Sequence, residues 1–172
     1  MVKKSVTKLT QKQIAEFFRR SYLAADGLWF LKTEEKLGFE EALEIDNEVW
    51  KVLPKIQARL VKEMTGATGG VKALVDCYGA KLALHGFRFK TDKKGNEFRI
   101  VIDKCPWHEV MVKSRRGHLS ARIGNLICRT ETVVWASEFG DGIVADIKPG
   151  LCEGSKTCVI CFSTSPFKGS GH

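Results

Sequence analysis

The chain predicts an α+β fold: an N-terminal helical hairpin followed by an antiparallel sheet of about four strands with one inserted helix. Three observations carry this. Apolar residues recur at helical spacing through the first third of the chain. Period-two alternation then flanks a Lys-Lys-Gly-Asn turn, and two more short alternating runs close the chain around a turn that begins at Pro149.

Thr10 followed by Gln13 fits a capping box, and Ile14, Phe17, Phe18, Ala25, Leu28 and Trp29 continue with helical period. A first helix is expected from about 11 to 36, stopping near Gly38. Leu43, Ile45, Val49, Val52, Leu53, Ile56, Leu60 and Met64 form a second helical pattern that ends at "TGATGG", with Pro54 a kink or a break. Short linkage at Gly38 makes the two an antiparallel hairpin. "VKALVDCYGAKLALHG" (71–86) reads as a third helix and "FRFKTDKKGNEFRIVID" (87–103) as a β-hairpin. A further helix is expected over about 117–138, with Thr130 a candidate interruption, and strands at 142–150 and 156–164. Residues 1–66 are thus the helical region, 67–165 the cysteine-containing α+β region packed with it, and 166–172 a frayed tail.

With 172 residues, 44% of them hydrophobic, the chain can bury a core without disulfides. No stretch reaches the roughly 18–20 apolar residues of a membrane span, and no apolar signal core follows the N-terminal lysines. A cytoplasmic protein with reduced thiols and no membrane partner is expected. The net charge of +8 is unevenly spread: residues 33–48 hold seven acids and one lysine, while basic residues crowd the N-terminus and residues 81–130. No nucleic-acid-binding signature accompanies them, so a basic nucleic-acid-associated regulator is the weakest functional reading.

The informative stretch is "LCEGSKTCVICF" (151–162), with three of the six cysteines. Strand alternation sends Cys158 and Cys161, three positions apart, to opposite faces, so the pair is not a Cys-x-x-Cys metal knuckle. Cys152 meets Cys158 more readily, because Gly154 and Ser155 let the chain fold back. Cys105, where Pro106 turns the chain out of a strand, and Cys128 on the inserted helix would complete a set of four. Four thiolates suit Zn²⁺ and an iron–sulfur cluster equally. Simple burial of small thiols and a redox dithiol are the other readings. His108 and Cys161 are lesser ligand candidates, and Cys77 belongs to the core.

"YLAADGLWFLKTEEKLGFEEALEIDNEVW", "CPW", the helix cysteine and "LCEGSKTCVICF" together resemble an uncharacterised, mainly archaeal and bacterial family related to the L-2-amino-thiazoline-4-carboxylate hydrolase-like proteins. The closing motif also resembles that of the 4-vinyl reductase domain, a small-molecule-binding module. The resemblance covers about residues 15–163. It implies an α+β fold with a ligand cavity between helices and sheet, and it matches Cys105, Cys128, Cys152 and Cys158 to the family's cysteines. Cys161 falls where an ordinary strand residue is usual. No nucleophile, base and orienter trio supports the hydrolase activity.

Asp26, inside "LAADGLWFL", is a candidate for acid–base work or for binding a ligand amine, against a place on a wet helix face. Trp29, Trp50 and Trp107 are candidates to line an apolar pocket, against plain core. Arg115, Arg116, His118 and Arg122 gather at a helix start that favours anions, against a solvated basic face. The leading expectation is a cytoplasmic metal- or cluster-binding module with a small-molecule ligand, a homodimer being compatible with it. A metal-dependent hydrolase or redox enzyme is the alternative.

Overall fold

The computed structural model describes residues 8–164 and is α+β. α1 (Gln11–Leu37) begins at a capping box, in which the Gln13 N–H donates to Thr10 Oγ1 at 3.2 Å and the Thr10 N–H donates to Gln13 Oε1 at 2.8 Å. Gly38, at φ 100°, ends α1 and reverses the chain into α2 (Phe39–Trp50). That left-handed region favours glycine, and it makes the hairpin turn one residue long. The second helical pattern divides in two. α2 stops at Trp50, and α3 (Leu53–Thr65) carries Pro54 in its first turn, where a missing N–H breaks no helical hydrogen bond. α4 (Val71–Leu84) ends before the hairpin of β1 (Arg88–Lys94) and β2 (Glu97–Lys104).

Two features depart from the sequence reading. Pro106 does leave the sheet, but it opens a short helix, α5 (Pro106–Lys113), because its fixed φ is already helical. α6 (Ser120–Ser137) runs through Thr130 without interruption. The Thr130 hydroxyl donates to Asn47 Oδ1 of α2 at 2.7 Å, so it binds a neighbouring helix and does not compete with its own backbone. β3 (Val144–Lys148) and β4 (Cys158–Ser163) follow, separated by a short 3-10 turn, Leu151–Glu153.

The sheet has the order β1-β2-β4-β3, all antiparallel. Ile100 faces Ile160 across one ladder and Ile147 faces Ile160 across the next, so alternate residues of each strand share one face. That face packs on Leu74, Tyr78 and Leu82 of α4 and Trp135 of α6, all at most 1% exposed. Behind α6, a smaller cluster of Leu43, Trp50 and Ile127 ties on α2. The order is therefore sheet, then α4 and α6, then the N-terminal helices. Among the described residues no helix is long and apolar enough to cross a membrane.

One sequence expectation fails at the surface. Phe17, Phe18, Leu28 and Trp29 of α1 are 56–76% exposed, and α1 buries no residue fully. Helical period reports an apolar stripe and says nothing of what covers it. The tail at 166–172 lies outside the described residues.

Candidate functional site

Four cysteines reach one neighbourhood from four elements. Cys105 follows β2 at the N-cap position of α5, Cys128 lies on α6, Cys152 sits in the 3-10 turn and Cys158 opens β4. Their thiols sense one another: charge on Cys105, Cys152 or Cys158 raises the pKa of Cys128, and charge on Cys152 or Cys158 raises that of Cys105. Burial is the larger cause for all four, pushing Cys105 up to about 11 and Cys128 further still. Cys128 nevertheless keeps solvent-accessible surface.

The turn that holds two of these thiols is built around them. The Leu151 N–H donates to Cys158 Sγ at 3.0 Å, and the Cys152 backbone N–H also favours the Cys158 thiolate. Gly150 is required by contact, since a Cβ there would stand 2.3 Å from Cys158 Sγ. On α6, a Cβ at Gly124 would stand 3.1 Å from Cys152 Sγ, so the helix face that carries Cys128 one turn later presses against the turn. Glu153 clamps the two together, accepting from Gly150 N–H at 2.9 Å and from Asn125 Nδ2 at 3.1 Å. At Cys105 the backbone N–H groups of Trp107 and His108 oppose the effect of burial on the thiol, without closing a side-chain cap. The four thiols share a neighbourhood and not a coordination sphere: among the described residues no group of three or more His, Cys, Asp or Glu stands ready to hold a metal ion.

The lesser candidates lie elsewhere. Cys161 is buried on β4 among Glu97, Lys148 and Asp146, and burial pushes its thiol to about 12. It belongs to the sheet face turned from the helices, opposite Arg99 and Asp146 in the ladders. His108 Nδ1 is 2.8 Å from Ser120 Oγ, which fixes its ring against the start of α6. Cys77 is core, at 2% exposed. The basic group does not gather as an anion site. Arg116 pairs with Glu34 and Arg122 with Glu40, each at 2.5 Å, so these guanidinium groups fasten the start of α6 to the N-terminal hairpin. Arg115 occupies a turn at φ 61°, and His118 lies in the following 3-10 turn.

Beside the thiols the helices enclose a polar and aromatic cluster. Trp107 stands edge-on to Tyr22 at 5.9 Å and to Trp50 at 6.3 Å, joining α5 to α1 and α2. Trp29, expected beside them, is instead 76% exposed, although helical spacing puts it on the same side of α1 as Tyr22 and Asp26. Trp50 Nε1 donates to Asp46 Oδ1 at 3.1 Å. Burial raises the Asp26 carboxyl to about 6, and burial together with the Asp26 charge raises Asp46 to about 7. Burial and the charge of Lys81 lower His85, packed on Tyr22 at 5.1 Å, to about 3, so it is neutral. Deeper in, Lys81 pairs with Glu131, whose other oxygen accepts from the Tyr78 hydroxyl at 3.1 Å. Glu131 also acts on both Cys128 and Tyr22, so the thiols and the carboxylates belong to one electrostatic unit.

Sequence reasoning passed over Tyr22, Asp46, Gln57, Lys81 and Glu131. Lys81 carried a visible signal, a lysine within the apolar run "ALVDCYGAKLAL", and Tyr22 lies one helical turn before Asp26. Asp46 was hidden among seven acids.

Fold and site together define a small α+β protein with a converging set of thiols beside a buried acidic and aromatic cluster. The chain belongs to a family of unknown function (DUF6125), whose profile matches residues 4–149. The match takes in Cys105 and Cys128 and stops before Cys152 and Cys158. It carries no link to the thiazoline-carboxylate hydrolase-like or 4-vinyl reductase proteins. No curated protein matches the chain.

Proposed function

We propose that Cys105, Cys128, Cys152 and Cys158 hold a zinc ion or an iron–sulfur cluster beside a small-molecule pocket walled by Trp50 and Trp107, and that the protein is a cytoplasmic binding or sensing module. The observation that carries this reading is the convergence of four thiols from a strand end, a helix, a turn and a second strand, in a turn whose glycine leaves room only for sulfur. Alone, four desolvated thiols are held neutral by burial. A bound cation reverses that preference, because thiolates then neutralise it. The N–H donors at Cys158 and Cys105 suit thiolate better than thiol.

Metal analysis and an absorption spectrum of anaerobically purified protein test it. Iron with sulfide and a brown colour assign a cluster, and one zinc with no colour assigns a structural site. Cys105→Ser and Cys158→Ser are expected to lose the metal and Cys161→Ser to keep it. Protein free of both metals, with all six thiols titratable on unfolding, overturns the proposal. The exposure of Cys128 favours one second reading, a metal-dependent hydrolase or redox enzyme. In it one coordination position stays open to water or substrate. Three protein ligands plus water, seen by X-ray absorption, support that reading over a closed site.

A further inference from the structure

We infer that α2 and α3 pair with the same two helices of a second copy of the chain, antiparallel about a two-fold axis near Val52. This goes beyond the site proposed above and does not depend on its metal. α3 follows α2 with only Lys51 and Val52 between them, and both of these residues keep right-handed helical backbone. The Lys51, Val52 and Ile56 N–H groups donate to the Asn47, Val49 and Val52 carbonyls at 3.0, 3.0 and 3.4 Å, so helical hydrogen bonding carries on through the junction. One side of the two helices faces the protein, burying Leu43, Trp50, Pro54, Ala58 and Val61. Helical spacing sets Ile45, Val49, Val52, Ile56 and Leu60 on the opposite side, where each is 46–55% exposed. A helix that is apolar on two opposite sides has a second side to cover.

The pattern on that side is symmetric. Ile45 precedes Val52 by as much as Leu60 follows it, within one residue, and Val49 and Ile56 stand about Val52 in the same way. Laid antiparallel, Ile45 meets the partner's Leu60 and Val49 meets the partner's Ile56. Charge obeys the same symmetry. Glu41, Glu44 and Glu48 flank the stripe before Val52, and Lys55 and Arg59 flank it on the same edge beyond, all five exposed. The Glu48 contact to Lys51 lies at the surface, and Arg59 keeps 69% of its side chain exposed while paired with Glu138, so both remain open to a further partner. A parallel pairing would set acids on acids. The antiparallel one sets Glu44 by the partner's Arg59 and Glu48 by the partner's Lys55, and repeats both contacts across the axis. Such self-complementarity is what an isologous interface requires, and it singles out a second copy as the occupant.

Sedimentation equilibrium of the full chain tests this under reducing conditions, where thiols cannot link two copies. A concentration-dependent monomer–dimer equilibrium is expected. Glu48→Lys and Lys55→Glu each create two like-charge contacts per dimer and are expected to raise the dissociation constant roughly tenfold or more. Mixed in equal amounts, the two variants are expected to recover the affinity of the parent, because each then meets its opposite charge at both contacts. Recovery on mixing is a result that loss of folding cannot imitate. A parent that stays monomeric at every concentration, a dimer indifferent to both substitutions, or variants that fail to recover on mixing overturns the inference.

Discussion

At the scale of single residues, the site is governed by contacts that allow no extra atom and by charges that lack water. Gly150 shows the first. A methyl group there would overlap Cys158 Sγ, so Gly150→Ala is expected to cost about 1–3 kcal/mol, measured by denaturant unfolding. Asp46 shows the second. Its carboxyl titrates at about 7 in the folded protein, against about 3.9 for an unfolded aspartate. The folded chain therefore retains a proton that the unfolded chain releases. This contribution to stability is full below about pH 4 and is lost as pH rises through about 7. Asp46→Asn stays neutral and can still accept from Trp50. It is expected to be more stable than the parent at about pH 8, by on the order of 1 kcal/mol, with the difference vanishing towards pH 4. Equal stability curves across that range would sink this account.

At the scale of elements, the central fact is that α6 serves three neighbours at once. It carries Trp135 into the sheet-facing core, Ile127 against α2 and Cys128 towards the turn before β4. Glu131, on the same helix, ties it to α4 through Lys81 and Tyr78. Burying that pair removes both charges from water, so the pair is not itself evidence of stability, but breaking it exposes the full desolvation of whichever charge remains. Lys81→Met alone is expected to cost about 3–5 kcal/mol, whereas Lys81→Met with Glu131→Leu should recover most of the loss. Thermal unfolding of the single and double variants checks this, and equal damage in both would show that the helix contact does not depend on the charge pair. The Arg116–Glu34 and Arg122–Glu40 pairs join the other end of α6 to the hairpin. Arg122 and Glu40 are well exposed, so that pair contributes little to stability.

At the scale of the whole molecule, the unmatched feature is apolar surface on the N-terminal helices. Ile45, Val49, Val52, Ile56, Leu60 and Met64 follow one another three or four residues apart along α2 and α3, yet are 46–77% exposed. With Phe17, Phe18, Leu28 and Trp29 of α1, ten large apolar side chains of the N-terminal helical region stand exposed. We propose that a second copy of the chain covers it. Sedimentation should show a dimer that Ile56→Glu with Leu60→Glu converts to monomer, and a parent monomeric at every concentration would end that expectation. The α+β class, the Thr10 cap, the break at Pro54, the hairpin and the two closing strands were all legible in the sequence, because each is written in local spacing and turn chemistry. Strand alternation likewise distinguished Cys158 from Cys161. Spacing along one chain does not report what packs against a stripe, so Trp29 was placed inside and α5 was missed. Only the tertiary structure brought Asp26 to Asp46, Tyr22 to Trp107 and Lys81 to Glu131. These groups are far apart in the chain or on separate helices, and their chemistry arises from the burial and mutual charge that packing creates.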